Sequence, residues 1–222
     1  MRAGVVALVD GSFRKIDSYA ETTADGDREL ARRLEVDRVF SLPDGDAAFA
    51  GRAAAERVAP DREVSVDEDG ITVTDQRRVT TAYTEVVGVP GEFVAAASSD
   101  GAFAFDLVGA ETGTSLERAT LDLDAFLDDR PDATPWRVGV AGRGDGSVNG
   151  TFHAADLRAS RDLDALRDGA TVTQLGLAYD YGGDAVKMTA ARSGYVEVYQ
   201  PAAYDAAEFL TYVRDEVLDY VA

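Results

Sequence analysis

Cysteine is absent from this 222-residue chain, and histidine occurs only once, as His153. Without cysteine there are no disulfide bonds, thiolate zinc sites, iron–sulfur clusters or cysteine nucleophiles. Zinc and copper sites of the ordinary kind use several imidazoles or thiolates, so a single histidine argues against them too. The sequence therefore predicts no bound cofactor.

Long apolar runs are also missing. No segment approaches the roughly 20 apolar residues that a membrane span needs. The N-terminal apolar run reaches a charge at Asp10, which is too early for a signal peptide. We therefore expect a cytoplasmic protein with no membrane partner.

Basic residues are scarce, because 22 lysines and arginines stand against 41 acidic residues and give a formal net charge of −19. Only Lys15 and Lys187 are lysines. Self-repulsion at this charge destabilises a compact state unless salt screens it, and the Debye length falls to about 3 Å at molar ionic strength. Short aspartates expose little hydrocarbon, unlike the long stem of lysine. This haloarchaeal-type composition indicates a halophilic protein whose surface holds hydrated K⁺ and Na⁺ ions.

The same acidity limits the partners that we expect. It disfavours binding to nucleic acid backbones and anionic membranes. Disorder is an alternative interpretation, but 45% of residues are hydrophobic and the acids are dispersed, which favours a folded chain. A protein that mimics nucleic acid remains a second alternative.

Asp-Gly pairs between apolar runs predict β-hairpins, because this dipeptide favours the positive φ angles of a type I′ turn. Such pairs occur at residues 10–11, 69–70, 100–101 and 145–146. Residues 171–181, 184–192 and 195–199 predict a meander of three strands. We therefore expect mainly antiparallel sheets.

Helical signals lie between these strands. Helix formers and capping residues predict helices over residues 27–36, 46–58, 114–127 and 160–168, and a long amphipathic helix over residues 203–221. The predicted fold class is therefore α+β, with antiparallel sheets built from hairpins and covered by helices. Each half has strands followed by a closing helix, which suggests two similar halves, residues 1–130 and 131–222, or one continuous domain.

Several motif-like patterns have simple interpretations. The glycine-rich residues 142–147 lack the lysine and the following helix of a phosphate loop, so they predict a hairpin loop. Residues 67–70 lack the later ligands of a calcium loop. His153 could act as a general base, but no Gly-x-Ser-x-Gly motif accompanies it, and we interpret it as a packed or surface residue. Four aspartates around residues 122–129 are expected on the exposed side of a helix.

The best candidates for a binding site lie in the predicted meander. Strand alternation places Lys187 on the face opposite to the core residues Val186 and Met188. The candidate ligand- or partner-binding residues are one lysine and four tyrosines: Lys187, Tyr195, Tyr199, Tyr179 and Tyr181. A cation with aromatic hydroxyls suits a small anion or a protein partner. The simpler interpretation is a cross-strand ion pair of Lys187 with Glu197.

These patterns predict a non-enzymatic binding or regulatory module for a protein partner or a small ligand. The alternative is an enzyme that uses carboxylates, tyrosines and Lys187, assisted by Mg²⁺, with no recognisable motif. A deep apolar pocket with converging acids would favour the enzyme, whereas flat surfaces and an exposed apolar patch would favour the module.

Overall fold

The computed structural model describes residues 1–68, 70–142, 149–160 and 163–222. The protein is mostly antiparallel β-sheet, with 56% of residues in strands and 20% in helices. The strands are β1 (Ala3–Asp10), β2 (Tyr19–Asp25), β3 (Arg28–Ser41), β4 (Ala47–Asp67), β5 (Gly70–Val89), β6 (Phe93–Ala96), β7 (Ser115–Arg118), β8 (Thr134–Gly142), β9 (Asn149–His153), β10 (Ala170–Tyr181), β11 (Asp184–Ala191) and β12 (Tyr195–Gln200). The helices are α1 (Phe103–Thr112), α2 (Leu123–Asp128), α3 (Leu157–Ser160), α4 (Leu163–Arg167) and α5 (Ala206–Glu216).

The described strands form one sheet in the order β2-β3-β4-β5-β6-β1-β12-β11-β10-β8-β9, with β7 also paired to β1. At its centre, β1 pairs with β6 on one side and with β12 and then β7 on the other. Val5, Val6 and Ala7 are completely buried, as expected for a strand covered on both faces. Strands from both halves of the chain therefore meet in β1, and the division near residue 130 stays a prediction.

The predicted α+β class is wrong, because two segments with helical composition are long strands. Residues 27–36 lie mainly in β3, and all of residues 46–58 except the first lie in β4. β4 has a neighbour on each side here, so that Ala53 pairs with Leu34 of β3 and with Thr84 of β5. Pairing on both edges satisfies the backbone in an extended form and outweighs the helix propensity of alanine, which is a weak preference.

Two of the four predicted hairpins are absent. β1 is followed by β2, which pairs with β3 rather than with β1, so residues 10–11 do not join paired strands. Residues 100–101 lie in a 3-10 turn that leads into α1. The hairpin at residues 69–70 is present between β4 and β5, and β8 pairs with β9 around residues 145–146. Residues 143–148, which include most of the glycine-rich loop, and Asp69 lie outside the described residues.

The predicted helix at residues 114–127 is present only in its second half, as α2. α1 ends at Thr112 and is capped by Gly113, whose φ of 69° lies in the left-handed region that glycine adopts without strain. The chain then turns back as β7 against β1. The side chain of Asp122 caps α2 by accepting a hydrogen bond from the backbone N–H of Ala125 at 3.0 Å.

No long C-terminal amphipathic helix is found among the described residues. α5 has 11 residues and begins with a capping box of Asp205 and Glu208. It ends at Glu216, and a 3-10 turn, Leu218–Tyr220, follows. The predicted helix at residues 160–168 corresponds to α4, with Ser160 at the end of α3 rather than at an N-cap. The predicted three-stranded meander is confirmed as β10, β11 and β12.

Helices cover different parts of the two sheet faces. α1 packs on one face of β3–β6 and β1, where the buried cluster includes Phe49, Val94 and Phe105. α2 and α5 pack on the opposite face, largely over β8 and β10–β12. Of the described meander residues, Tyr195 alone packs against the α1 cluster. The α1-side face of β8 and β10–β12 is therefore free of a covering helix in the described chain.

None of the described helices is long and apolar enough to cross a lipid bilayer.

Candidate functional site

The α1-side face of the C-terminal strands carries a group of polar and aromatic side chains that we call the polar face. Its residues come from four neighbouring strands: Trp136, Arg137, Gln174, Lys187, Thr189, Tyr195, Glu197 and Tyr199. Successive side chains of a strand point to opposite faces, and the residues between these, such as Val186, Met188 and Val198, are buried in the core under α5. Three predicted site residues, Lys187, Tyr195 and Tyr199, are thus brought to one face.

The other two predicted residues lie on the opposite face. Tyr179 pairs across strands with the buried Val186, and both Tyr179 and Tyr181 reach α5. The Tyr179 hydroxyl forms a 2.7 Å hydrogen bond with that of Tyr212, and Tyr181 donates to Asp215 at 2.7 Å. Tyr179 and Tyr181 therefore contribute to core packing and are not part of the polar face.

Lys187 forms a contact that strand alternation alone did not predict. Its Nζ lies 4.8 Å from the ring centre of Trp136, and Trp136 contacts Tyr199 edge-on at 5.9 Å between ring centroids. A cation over an indole ring is attracted by the ring quadrupole. Glu197, the partner that the simpler interpretation gave to Lys187, lies opposite Thr189 instead and accepts a hydrogen bond from the Tyr195 hydroxyl at 3.1 Å.

Gly176 makes room for the indole ring on the sheet. A Cβ atom at this position would lie only 2.7 Å from the Trp136 ring, closer than nonbonded carbons approach. The register of β8 against β10 shifts at the next residue, Leu177, and such an irregularity redirects a side chain. The ring therefore lies over β10, within reach of Lys187 on the next strand.

Arg137 is the central cation of the polar face. Register places it in one row across the sheet with His153, Gly176, Thr189 and Glu197. Its Nη2 donates to Gln174 Oε1 at 2.5 Å, whereas its buried Nε has no partner in the described part of the chain. The buried indole N–H of Trp136 is likewise unpaired within the described ranges. Buried donors normally have partners, so these two unpaired donors are exceptions that call for an explanation.

A small pocket opens beside Arg137. It measures about 180 Å³ and is lined by Arg137, Gln174, Thr189, Ala190, Ala191, Tyr195, Glu197 and Tyr199. Drug-sized ligands occupy pockets of roughly 300 to 1,000 Å³, so this pocket suits a smaller molecule or a single side chain. The lining of this pocket includes the guanidinium of Arg137, the carboxylate of Glu197 and two tyrosines.

Trp136, Arg137 and Gln174 are functional candidates that sequence reasoning did not identify. The single tryptophan of the chain was a usable signal. What the sequence does not reveal is that β8 lies beside β10. The exposed His153 pairs with Arg137 from the outer strand β9, at the margin of the face.

The remaining polar candidates form structural ion pairs. Asp124 and Asp128 accept hydrogen bonds from Arg167 at 2.8 and 2.7 Å, which lowers the pKa of the Asp128 carboxyl. Lys15, the other lysine of the chain, is exposed and pairs with Asp17 at 2.7 Å. In the described ranges, no group of three or more histidine or acidic residues has a metal-binding arrangement.

Tyrosine ionisation should destabilise the protein at alkaline pH. Burial raises the pKa of Tyr195 to about 12, with a further contribution from the Glu197 carboxylate, and burial also raises the pKa values of Tyr179 and Tyr212 above their usual range. A raised pKa in the folded state gives stability that is complete below the unfolded value near 10 and is lost as pH rises through the folded value.

We therefore expect the free energy of unfolding to fall from about pH 10 upward. Urea titrations at several pH values in constant molar salt will measure this fall, and ultraviolet absorbance will follow tyrosine ionisation. Stability that stays level between pH 10 and 12 would contradict the inferred burial of the phenols.

No protein-family model matches this sequence, and no curated protein is similar to it. The fold and the polar face define a mainly antiparallel β protein that carries, on the C-terminal strands, an aromatic and cationic sheet face without a covering helix among the described residues.

Proposed function

We propose that this chain is a non-enzymatic binding module that holds a small amino acid or hydroxy acid on the polar face. The observation that carries this proposal is the unpaired, buried Nε of Arg137 beside a pocket of about 180 Å³. A guanidinium matches a carboxylate in geometry and charge. Glu197 lines the same pocket and would accept a hydrogen bond from an amine or hydroxyl group of the ligand.

The aromatic residues fit the rest of such a ligand. Tyr195 and Tyr199 line the pocket, and their rings would contact a short carbon chain. Because the pocket is formed by strand residues in a paired sheet, its side chains have little freedom to lose on binding. Preorganised donors of this kind favour affinity for a small ligand.

Catalysis by Lys187 and the tyrosines, the alternative that the sequence raised, has less support. Tyr179 and Lys187 line one surface hollow of about 600 Å³, but Lys187 Nζ lies against the Trp136 ring. The hydroxyls of Tyr179 and Tyr181 are already hydrogen-bonded to α5. Groups that act together in catalysis need to reach one reacting atom. We therefore favour binding over catalysis.

The single tryptophan makes the proposal testable by fluorescence. Trp136 belongs to the polar face, so its emission should change saturably on titration with L-alanine or L-lactate in molar KCl. The amide L-alaninamide lacks the carboxylate and should bind at least about tenfold more weakly, because a charge-assisted hydrogen bond contributes about 1.5 to 3 kcal/mol.

Two variants distinguish binding at the polar face from a nonspecific effect of L-alanine or L-lactate on the protein. Arg137→Met should weaken binding of L-alanine by at least about tenfold, whereas Arg14→Met, a change at an exposed arginine far along the chain, should leave it unchanged. Circular dichroism will establish that both variants are folded. A saturable response that is equal in the wild type and Arg137→Met, or no response to either acid, would refute the proposal.

A further inference from the structure

Arg137 differs from the other half-buried arginines of the protein because it has no acidic partner. Five arginine side chains are half-buried in the described ranges. Four of them form an ion pair with an aspartate or a glutamate: Arg32, Arg130, Arg167 and Arg214. Arg137 forms none in that part of the chain, and it donates instead to the neutral side chain of Gln174. A partly desolvated guanidinium is stabilised by an opposite charge, so an anionic group from outside the chain would complete this one.

Glu197 supplies a matching unpaired charge in the same pocket. Its carboxylate accepts a hydrogen bond from the Tyr195 hydroxyl at 3.1 Å and forms no ion pair with an arginine or lysine among the residues that the structure describes. Glu197 and Arg137 both line the pocket of about 180 Å³, yet their charged groups are too far apart to pair with each other. The pocket therefore contains one cation and one anion that are separated by a gap.

Small residues lie between the two charges. Register places Arg137 on β8, Gly176 on β10, Thr189 on β11 and Glu197 on β12 in one row across the sheet. Three strand spacings of about 4.8 Å separate the Cα atoms of Arg137 and Glu197 by roughly 14 Å. The Trp136 ring lies over Gly176, so the gap is the space above Thr189. A small molecule in this space can reach a charged group on each side.

We propose that Glu197 makes the site specific for a small zwitterionic α-amino acid, which bridges the gap with its carboxylate at Arg137 and its ammonium group at Glu197. This inference rests on the binding function proposed above and selects one of its two ligand classes. An amino acid pairs both charges of the pocket and adds no net charge to it. A hydroxy acid pairs Arg137 alone and adds a negative charge beside the Glu197 carboxylate, in a protein whose net charge is already −19.

A comparison of three ligands tests the class of the ligand. In molar KCl, L-alanine should bind at least about tenfold more tightly than L-lactate, because lactate lacks the charged group that would pair with Glu197. Propionate has neither an ammonium nor a hydroxyl group and should bind no more tightly than L-lactate. Trp136 fluorescence and calorimetric titration will each give these affinities. Charges that are partly buried are screened less than exposed ones, so the preference should persist at this ionic strength.

Glu197→Gln tests the residue itself. Glutamine has nearly the same size, and its amide oxygen can still accept the hydrogen bond of Tyr195, but it carries no charge. This variant should bind L-alanine at least about tenfold more weakly than the wild type and L-lactate at least as tightly. Glu63→Gln, at an exposed glutamate of β4, is the matched control and should leave both affinities unchanged. Circular dichroism will establish that both variants are folded.

The results distinguish failure of this inference from failure of the proposed function. Equal binding of L-alanine and L-lactate to the wild type, with both weakened by Arg137→Met, would leave the small-acid site standing and overturn the inferred specificity. A preference for L-alanine that persists in Glu197→Gln would overturn the role of Glu197. If neither ligand binds to the wild type, the proposed function and this inference fail together.

Discussion

Replacement of Arg130 by methionine should lower the free energy of unfolding by about 3 kcal/mol, because it leaves a largely buried carboxylate without its ion-pair partner. Arg130 Nη2 lies 2.7 Å from Glu216 Oε2, with side chains only 14% and 20% exposed. The guanidinium also donates to the backbone carbonyls of Phe126 and Glu216 and lies 3.8 Å from the Phe126 ring centre. One side chain therefore joins the end of α2 to the end of α5.

Further variants distinguish the contribution of the ion pair to the free energy of unfolding from that of side-chain packing. Arg130→Met combined with Glu216→Gln should destabilise less than the sum of the single changes, because the second change removes the unpaired charge. Lys15→Met breaks the exposed pair with Asp17 and should have no measurable effect. Urea denaturation in constant molar KCl will give these differences. A loss below about 1 kcal/mol for Arg130→Met would show that the pair is solvated in solution.

Transfer from molar KCl to low salt should unfold the protein. The formal charge is −19, and the Debye length increases from about 3 Å at 1 M to about 30 Å at 0.01 M, so repulsion between distant carboxylates returns. The structure locates a region of dense charge at α2 and α4, where five aspartates and two arginines line a surface hollow of about 890 Å³: Asp122, Asp124, Asp128, Asp164, Asp168, Arg167 and Arg192. Circular dichroism during dialysis will measure the loss of β-sheet.

The cause of unfolding can be distinguished by two controls. Sucrose strengthens apolar burial without screening charge, so it should replace KCl poorly. Asp164→Asn combined with Asp168→Asn removes two acids from the dense region and should shift the unfolding transition to lower salt. A wild type that stays folded in dilute buffer would contradict the halophilic interpretation.

Part of the polar face could be predicted from alternation within strands. Lys187 and Thr189 alternate with core residues in β11, and Tyr195, Glu197 and Tyr199 alternate with core residues in β12. Alternation alone does not relate the two faces of one strand to those of the next. The cross-strand register supplies that relation, and it places Tyr179 with Val186, which separates two predicted tyrosines from the other three residues.

Strand β4 shows why local composition failed for part of the first half of the chain. Residues 46–58 are rich in alanine and arginine, which favour a helix in isolation. Their conformation depends on pairing partners at Leu34 and Thr84, and neither partner is close in sequence. Pro60, just beyond that segment, lies in the part of β4 that has a neighbour on one side in the described chain. A proline at such an edge leaves no sheet hydrogen bond unmade.

By itself, the sequence determined the composition-level properties: no cysteine chemistry, a strongly acidic surface and a set of short-range turns and alternating strands. These follow from residue types and from neighbours along the chain. The tertiary structure alone decided which segments became long strands, how β1 joins the two halves, and that Trp136 and Arg137 meet Lys187 and Glu197 on one face. Those features depend on contacts between residues distant in sequence, whose energies outweigh local preferences.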